Sequence, residues 1–133
     1  MLKLNTYEGY LKHPAGNTIS TEEAAQIYKA MVESVERCTV EDKMDFWNDL
    51  LKEAMEYSNI RNAWEFMSRE ERMDADAGRT MKHDAFIMAV NVLARLVEKN
   101  NVDASWREAL GDNRKRIGDF ACFVAYITGI SNR

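Results

Sequence analysis

The chain has 133 residues, 46% of them hydrophobic and 30% charged, with a single proline and a net charge of −4. That balance describes one folded domain, residues 1–133, and excludes a disordered chain. No apolar run reaches the roughly 18 residues of a membrane span. The opening Met1-Leu2-Lys3-Leu4-Asn5-Thr6 lacks the apolar stretch of a signal peptide, so no membrane association and a cytoplasmic location are expected. The acidic balance argues against a nucleic-acid binder.

In chain order, residues 1–19 read as an irregular N-terminal arm. It carries Tyr7 and Tyr10, which suit packing on the body, and the turn-forming run His13-Pro14-Ala15-Gly16-Asn17. Ser20-Thr21-Glu22-Glu23 has the form of a capping box. The helix after it has Ala24, Tyr28, Met31, Val35 and Cys38 on one face. Thr39 is placed to cap a second helix with an apolar stripe of Val40, Met44, Trp47, Leu51 and Ala54. The short joint between the two predicts an antiparallel hairpin.

Ser58-Asn59 suits the cap of a third, shorter helix with Ile60, Trp64 and Met67. Ser68-Arg69-Glu70-Glu71 repeats the capping-box pattern and starts a fourth helix. From there to Lys99 only Gly78 disfavours helix, which leaves one long helix or one bent near Ala77-Gly78. Its first half is charged, with Met73, Ala77 and Met81 as a thin apolar stripe. Residues 85–97 are apolar on nearly all sides, as in a central core helix. Asn100-Asn101 ends it. Asp103 caps a short helix with Trp106 and Leu110 that stops at Gly111. Asp112 or Asn113 caps a last, apolar helix, and Gly129 is its predicted C-terminal stop. The reading is therefore all-α: a single compact domain of five or six helices, with the two most apolar ones packed together at the centre.

Within the apolar fourth helix, Asp84, Asn91 and Arg95 fall close to one line, with Thr80 just off it. Buried polar groups need partners. The last helix offers Arg116 and Asp119, and Arg107 lies just before it. An internal network is expected, linking Asp84 or Asn91 with Arg107 or Arg116, and Arg95 with Asp119. The alternative is a polar pocket for a small anion built from His83, Asp84, Asn91, Arg95, Arg107, Arg116 and Asp119.

The pair His83-Asp84 invites comparison with metal-dependent phosphohydrolases of the HD type. That chemistry needs several ligands around one ion with a water left open to attack. Here the other histidine is His13, far upstream, and only Asp119 has the spacing of a late aspartate, so no metal site, catalytic residue or cofactor is assigned. Cys38 and Cys122 stand at apolar positions and read as core thiols. Arg114-Lys115-Arg116 sits in the first turn of a helix, against its dipole, and is expected to be compensated by Asp112 and Asp119.

Charge is uneven along the chain. Residues 21–76 carry 15 acidic and 7 basic groups, whereas residues 77–133 carry 6 acidic and 9 basic ones. The two halves either face each other or are solvated separately, or they make a head-to-tail contact between subunits or an acidic surface for a basic partner; the acidic first half is expected to supply the partner surface.

Two segments carry a family resemblance: Gly78-Arg79-Thr80 with His83-Asp84-Ala85-Phe86-Ile87 and Asn91, and Trp106-Arg107 with Gly111-Asp112 and Arg116-Ile117-Gly118-Asp119-Phe120. Together they resemble small helical proteins encoded on plasmids and conjugative elements of Gram-positive bacteria. The resemblance spans the second half of the chain and implies an accessory protein of a mobile element, with no activity or site residue carried over. The expected function is a non-enzymatic helical protein that binds another protein or itself, as a homodimer. The alternative is a small-anion binder or phosphohydrolase-like site around His83-Asp84.

Overall fold

The computed structural model describes residues 19–64 and 66–131; the predicted arm falls almost entirely outside them. The described residues form five helices: α1 Thr21–Arg37, α2 Lys43–Trp64, α3 Arg69–Lys99, α4 Trp106–Leu110 and α5 Arg114–Ser131. The fold is all-α, as its composition and periodicity require.

Three of the helix starts, those of α1, α3 and α5, follow side-chain caps. Ser20 Oγ accepts from Glu23 N at 3.0 Å. The α3 box is complete: Ser68 Oγ accepts from Glu71 N at 3.1 Å, and Glu71 accepts from Ser68 N at 2.8 Å. Asn113 Oδ1 accepts from Arg116 N at 3.0 Å and starts α5. Two helix ends follow positive φ. Asn101 (φ 59) lies just past α3, and Gly111 (φ 78) stops α4.

Two boundaries, at Ser58 and Gly129, differ from the sequence reading. Ser58 caps nothing: it lies inside a continuous α2, fully buried, and its hydroxyl donates to Met55 O at 3.1 Å. A serine satisfied by its own helix does not end it. Of the two alternatives at Gly78, the continuous helix holds: the glycine is exposed within an unbroken α3. Gly129 lies inside α5, which runs on to Ser131.

The predicted α1–α2 hairpin does not form. Cys38 leaves α1 in extended backbone, and α2 starts only at Lys43. Thr39 does not cap α2; its amide donates to Asn100 Oδ1 at 3.3 Å, tying the joint to the end of α3. Lys43 Nζ turns back to Cys38 O at 2.9 Å and covers the open end of α1. So α1 packs on α4 and α5, and meets α2 through the rings of Tyr28 and Trp47, 5.8 Å apart. A chain of buried hydrogen bonds fixes α4 on α1: Trp106 Nε1 donates to Ser34 Oγ at 3.1 Å, and Ser34 Oγ donates to Met31 O at 2.7 Å.

The helix that packs along two others is α2, against α3 on one side and α5 on the other. Its buried positions Trp47, Leu50, Ala54, Tyr57 and Ser58 repeat at helical spacing. Small residues on α5 (Gly118, Ala121, Cys122, Ala125) suit close approach of the two backbones. Leu50, Phe86, Leu93 and Phe120 are fully buried, each worth about 1.5–3 kcal/mol of burial.

Of the two helices expected at the centre, α5 is enclosed: residues 117–126 are all buried. In contrast, α3 is covered mainly on the side of Phe86, Val90, Leu93, Ala94 and Val97, and touches α5 only briefly. Its opposite side carries Met88, 64% exposed. Apolar composition all round therefore did not mean burial all round.

Candidate functional site

The polar stripe of α3 lies along its edge rather than in the core. Asn91 meets Arg107 as expected: Arg107 Nε donates to Asn91 Oδ1 at 2.6 Å. The rest of Arg107 closes the end of α4, through Nη1 to Gly111 O at 2.9 Å and Nη2 to Asp112 at 2.6 Å. The other pairings are not those expected. Asp84 is exposed and bonds its neighbour His83 Nδ1 at 3.0 Å, reaching neither Arg107 nor Arg116. Arg95 is exposed and does not meet Asp119. Asp119 is buried and pairs with Arg61 of α2 at 3.0 Å.

Arg116 serves the other end of the chain. Its guanidinium grips Glu23 with two bonds of 3.1 and 2.7 Å, while Nε and Nη2 donate to Leu110 O and Ala109 O at 2.7 and 3.0 Å. One side chain thus joins the starts of α1 and α5 to the end of α4. These bonds hold the Glu23 carboxyl below the usual carboxylate range. The seven stripe residues therefore do not converge on one pocket. Among the described residues no cluster of three or more potential metal ligands occurs.

Two other surfaces stand out, on opposite sides of α3. The first faces α2. Where an apolar seam would end, the first half of α3 presents Arg72, Arg79, Lys82 and His83 to Glu56, Tyr57 and Trp64. Arg79 lies over the Trp64 ring, its Cζ 4.1 Å from the centroid. Arg72 Nε donates to Trp64 O at 2.9 Å, Lys82 pairs with Glu56, and the His83 ring meets Tyr57 edge-on at 5.6 Å.

This seam opens into a cleft of about 360 Å³ lined by Tyr57, Arg61, Arg79, Arg114 and Lys115. Arg61 can lie there because Gly118 has no side chain: a Cβ would come within 2.7 Å of Arg61 Cζ. From α5, Arg114 Nη2 donates to Thr80 Oγ1 at 3.1 Å. Below it, burial pushes the Cys122 thiol up to about 11, although Arg61 opposes the shift. Cys38 and Cys122 are both free and buried, as core thiols.

The second surface is the outer side of α3. Met73, Met81 and Met88, 71, 66 and 64% exposed, lie along it with exposed Ala77 between them. The stripe of Met73, Ala77 and Met81 that the sequence offered for packing therefore faces away from the body. Inward positions in this half are held by Arg72, Ala75 and Arg79 instead, seven residues end to end. Sequence reasoning missed the cleft because it joins residues of three helices. The available signal was the pairing of Arg61 and Trp64 with Arg72 and Arg79 across a capped turn.

Among the described residues no helix is long and apolar enough to cross a membrane. Comparison with protein-family models, with curated proteins and with solved structures finds no match.

Proposed function

We propose that this chain is a non-enzymatic helical interaction protein that associates with a second copy of itself through the outer side of α3. The observation that carries this reading is the line of exposed methionines, Met73, Met81 and Met88, on a helix whose other side is packed. Single exposed apolar residues are common, but a row along one helix forms a continuous patch. Methionine is flexible and polarisable and adapts to a facing surface.

The spacing favours a two-fold pair. Met73 and Met88 lie eight and seven residues from Met81. Two antiparallel copies of α3 crossing near Met81 set Met73 of one copy against Met88 of the other, twice over. In that register Asp84 falls opposite Ala77, so no like charges are opposed. The resemblance of the second half supports a bacterial mobile-element accessory working in the cytoplasm.

Sedimentation equilibrium over a wide concentration range tests the reading. A dimer is expected at high concentration, and Met81→Glu should convert it to a monomer with unchanged helix content. A chain that stays monomeric at every concentration, or a dimer indifferent to Met81→Glu, overturns it.

A further inference from the structure

We propose that the cleft between α2, the first half of α3 and the start of α5 binds a phosphate group through Arg61, Arg79 and Arg114. The site is independent of the self-association surface.

Charge is the first reason. Four of the five residues lining the cleft are cationic. Among the described residues the carboxylates that meet its arginines are Asp119, on Arg61 at 3.0 Å, and Asp76, on Arg79 at 3.4 Å. Asp76 is itself largely exposed, so that pair is weak. Arg114 meets a hydroxyl, not a carboxylate. Three guanidiniums thus stand around one space with a surplus of positive charge.

An orphaned donor is the second. Arg79 Nε is shielded from solvent and has no hydrogen-bond partner. A shielded donor without an acceptor is unfavourable, and an anion in the cleft would relieve it.

Preorganisation is the third. Arg79 is held by the Trp64 ring, Arg61 by Asp119 and by the space Gly118 leaves, and Arg114 by Thr80. Guanidiniums already fixed in place lose little freedom on binding.

The fourth reason is the helix end. The first turn of α5 carries Arg114, Lys115 and Arg116 and no acidic residue. The partial positive charge of an 18-residue helix adds to theirs. Arg116 is turned away to Glu23, which leaves Arg114 and Lys115 beside the cleft. An anion beside this helix start is favoured by the helix dipole and by Arg114.

Phosphate suits these donors best, because several planar forks can each bind two of its oxygens. The cleft exceeds a bare phosphate in size, so the phosphate of a small ester is accommodated as well as the free ion. A long polyanion is disfavoured by the net charge of −4.

The test is titration calorimetry of the full chain with inorganic phosphate and with a nucleoside monophosphate, at ionic strength held constant with sodium chloride. Binding to one or both is expected, and the tighter of the two identifies free ion or ester as the ligand. Arg79→Gln and Arg114→Gln should each weaken binding about ten- to a hundredfold, the loss of one charge-assisted contact. Arg114 is exposed, so its variant should fold normally, checked by circular dichroism. Arg95→Gln, on the outer edge of α3, should bind like the parent. No heat from either ligand overturns the proposal. So does binding that survives in the double variant Arg79→Gln/Arg114→Gln, or binding shown only to a single-stranded oligonucleotide.

Discussion

Gly118→Ala sets two effects of opposite sign against each other. In a helix interior the change stabilises by about 1 kcal/mol through backbone entropy alone. Here the new Cβ would stand 2.7 Å from Arg61 Cζ and 2.9 Å from Nε and Nη1. The guanidinium must therefore move off α5, and it is the partner of Asp119 at 3.0 Å. The two side chains are 22 and 5% exposed. Removing the partner of a buried charge costs about 3–5 kcal/mol. Arg61 is displaced rather than deleted and gains water as it leaves, so the loss is smaller. Net destabilisation of about 1–3 kcal/mol is expected. Urea unfolding followed by far-ultraviolet circular dichroism measures it as a lower midpoint at unchanged slope. Gly78→Ala is the control: that glycine is also mid-helix, but a Cβ there meets nothing within 4 Å, so the variant should gain up to about 1 kcal/mol. In an Arg61→Ala background the obstruction is gone, and Gly118→Ala should turn stabilising. If Gly118→Ala alone stabilises as much as Gly78→Ala, Arg61 is not pinned against α5 and the account of the cleft's floor is wrong.

Three further outcomes follow from the same contacts. Ser34→Ala removes the acceptor of a buried Trp106 N–H at 3.1 Å and should cost about 1–3 kcal/mol, read from urea midpoints; a neutral effect would mean that α4 is not held there. The Glu23 carboxyl is held low chiefly by hydrogen bonds from Arg116, against the opposing effect of its partial burial. Its contribution is therefore present above the unfolded value near 4.3 and lost as pH falls through the folded one, so the stability difference between the parent and Glu23→Gln should shrink towards pH 3. The Cys122 thiol, raised by burial to about 11, stays protonated at pH 8, and its reaction with a disulfide reagent should wait for unfolding. Prompt labelling of Cys122 in the native protein would contradict its burial.

Local features of this fold were legible in the sequence because local groups cause them. The Ser68–Glu71 box and the stops at Asn100-Asn101 and Gly111 need only neighbouring residues, and each was read correctly; the start of α5 was narrowed to Asp112 or Asn113, of which Asn113 caps it. The buried side of α1 followed from its 3.6-residue period. Failures came where a distant partner decides. Thr39 looks like a cap, but Asn100 takes its amide from 61 positions away. Ser58 looks like a cap, but it is buried inside α2, where its hydroxyl donates to Met55 O. The arginines were recognised as needing carboxylates, yet the sequence could not say which. Arg116 found Glu23, 93 positions away, and Asp119 found Arg61. The cleft was invisible for the same reason: its arginines come from α2, α3 and α5, and no linear spacing relates them.

The two proposed surfaces share one helix without sharing a residue, and this makes them separable. Arg79 and Met81 are two positions apart, hence about 200° apart around α3. The inner line of Arg72, Arg79 and His83 faces α2; the outer line of Met73, Met81 and Met88 faces away. Met81→Glu should therefore abolish self-association and leave phosphate binding unchanged, and Arg79→Gln should do the reverse. Loss of both properties in either variant would mean that the second copy completes the cleft. In that case phosphate affinity would rise with protein concentration, because each ligand bound would favour the dimer. Calorimetry at two protein concentrations, one on each side of the dimer midpoint, separates these cases. Equal affinities place the site within one chain, as the contacts of Arg61, Arg79 and Arg114 require.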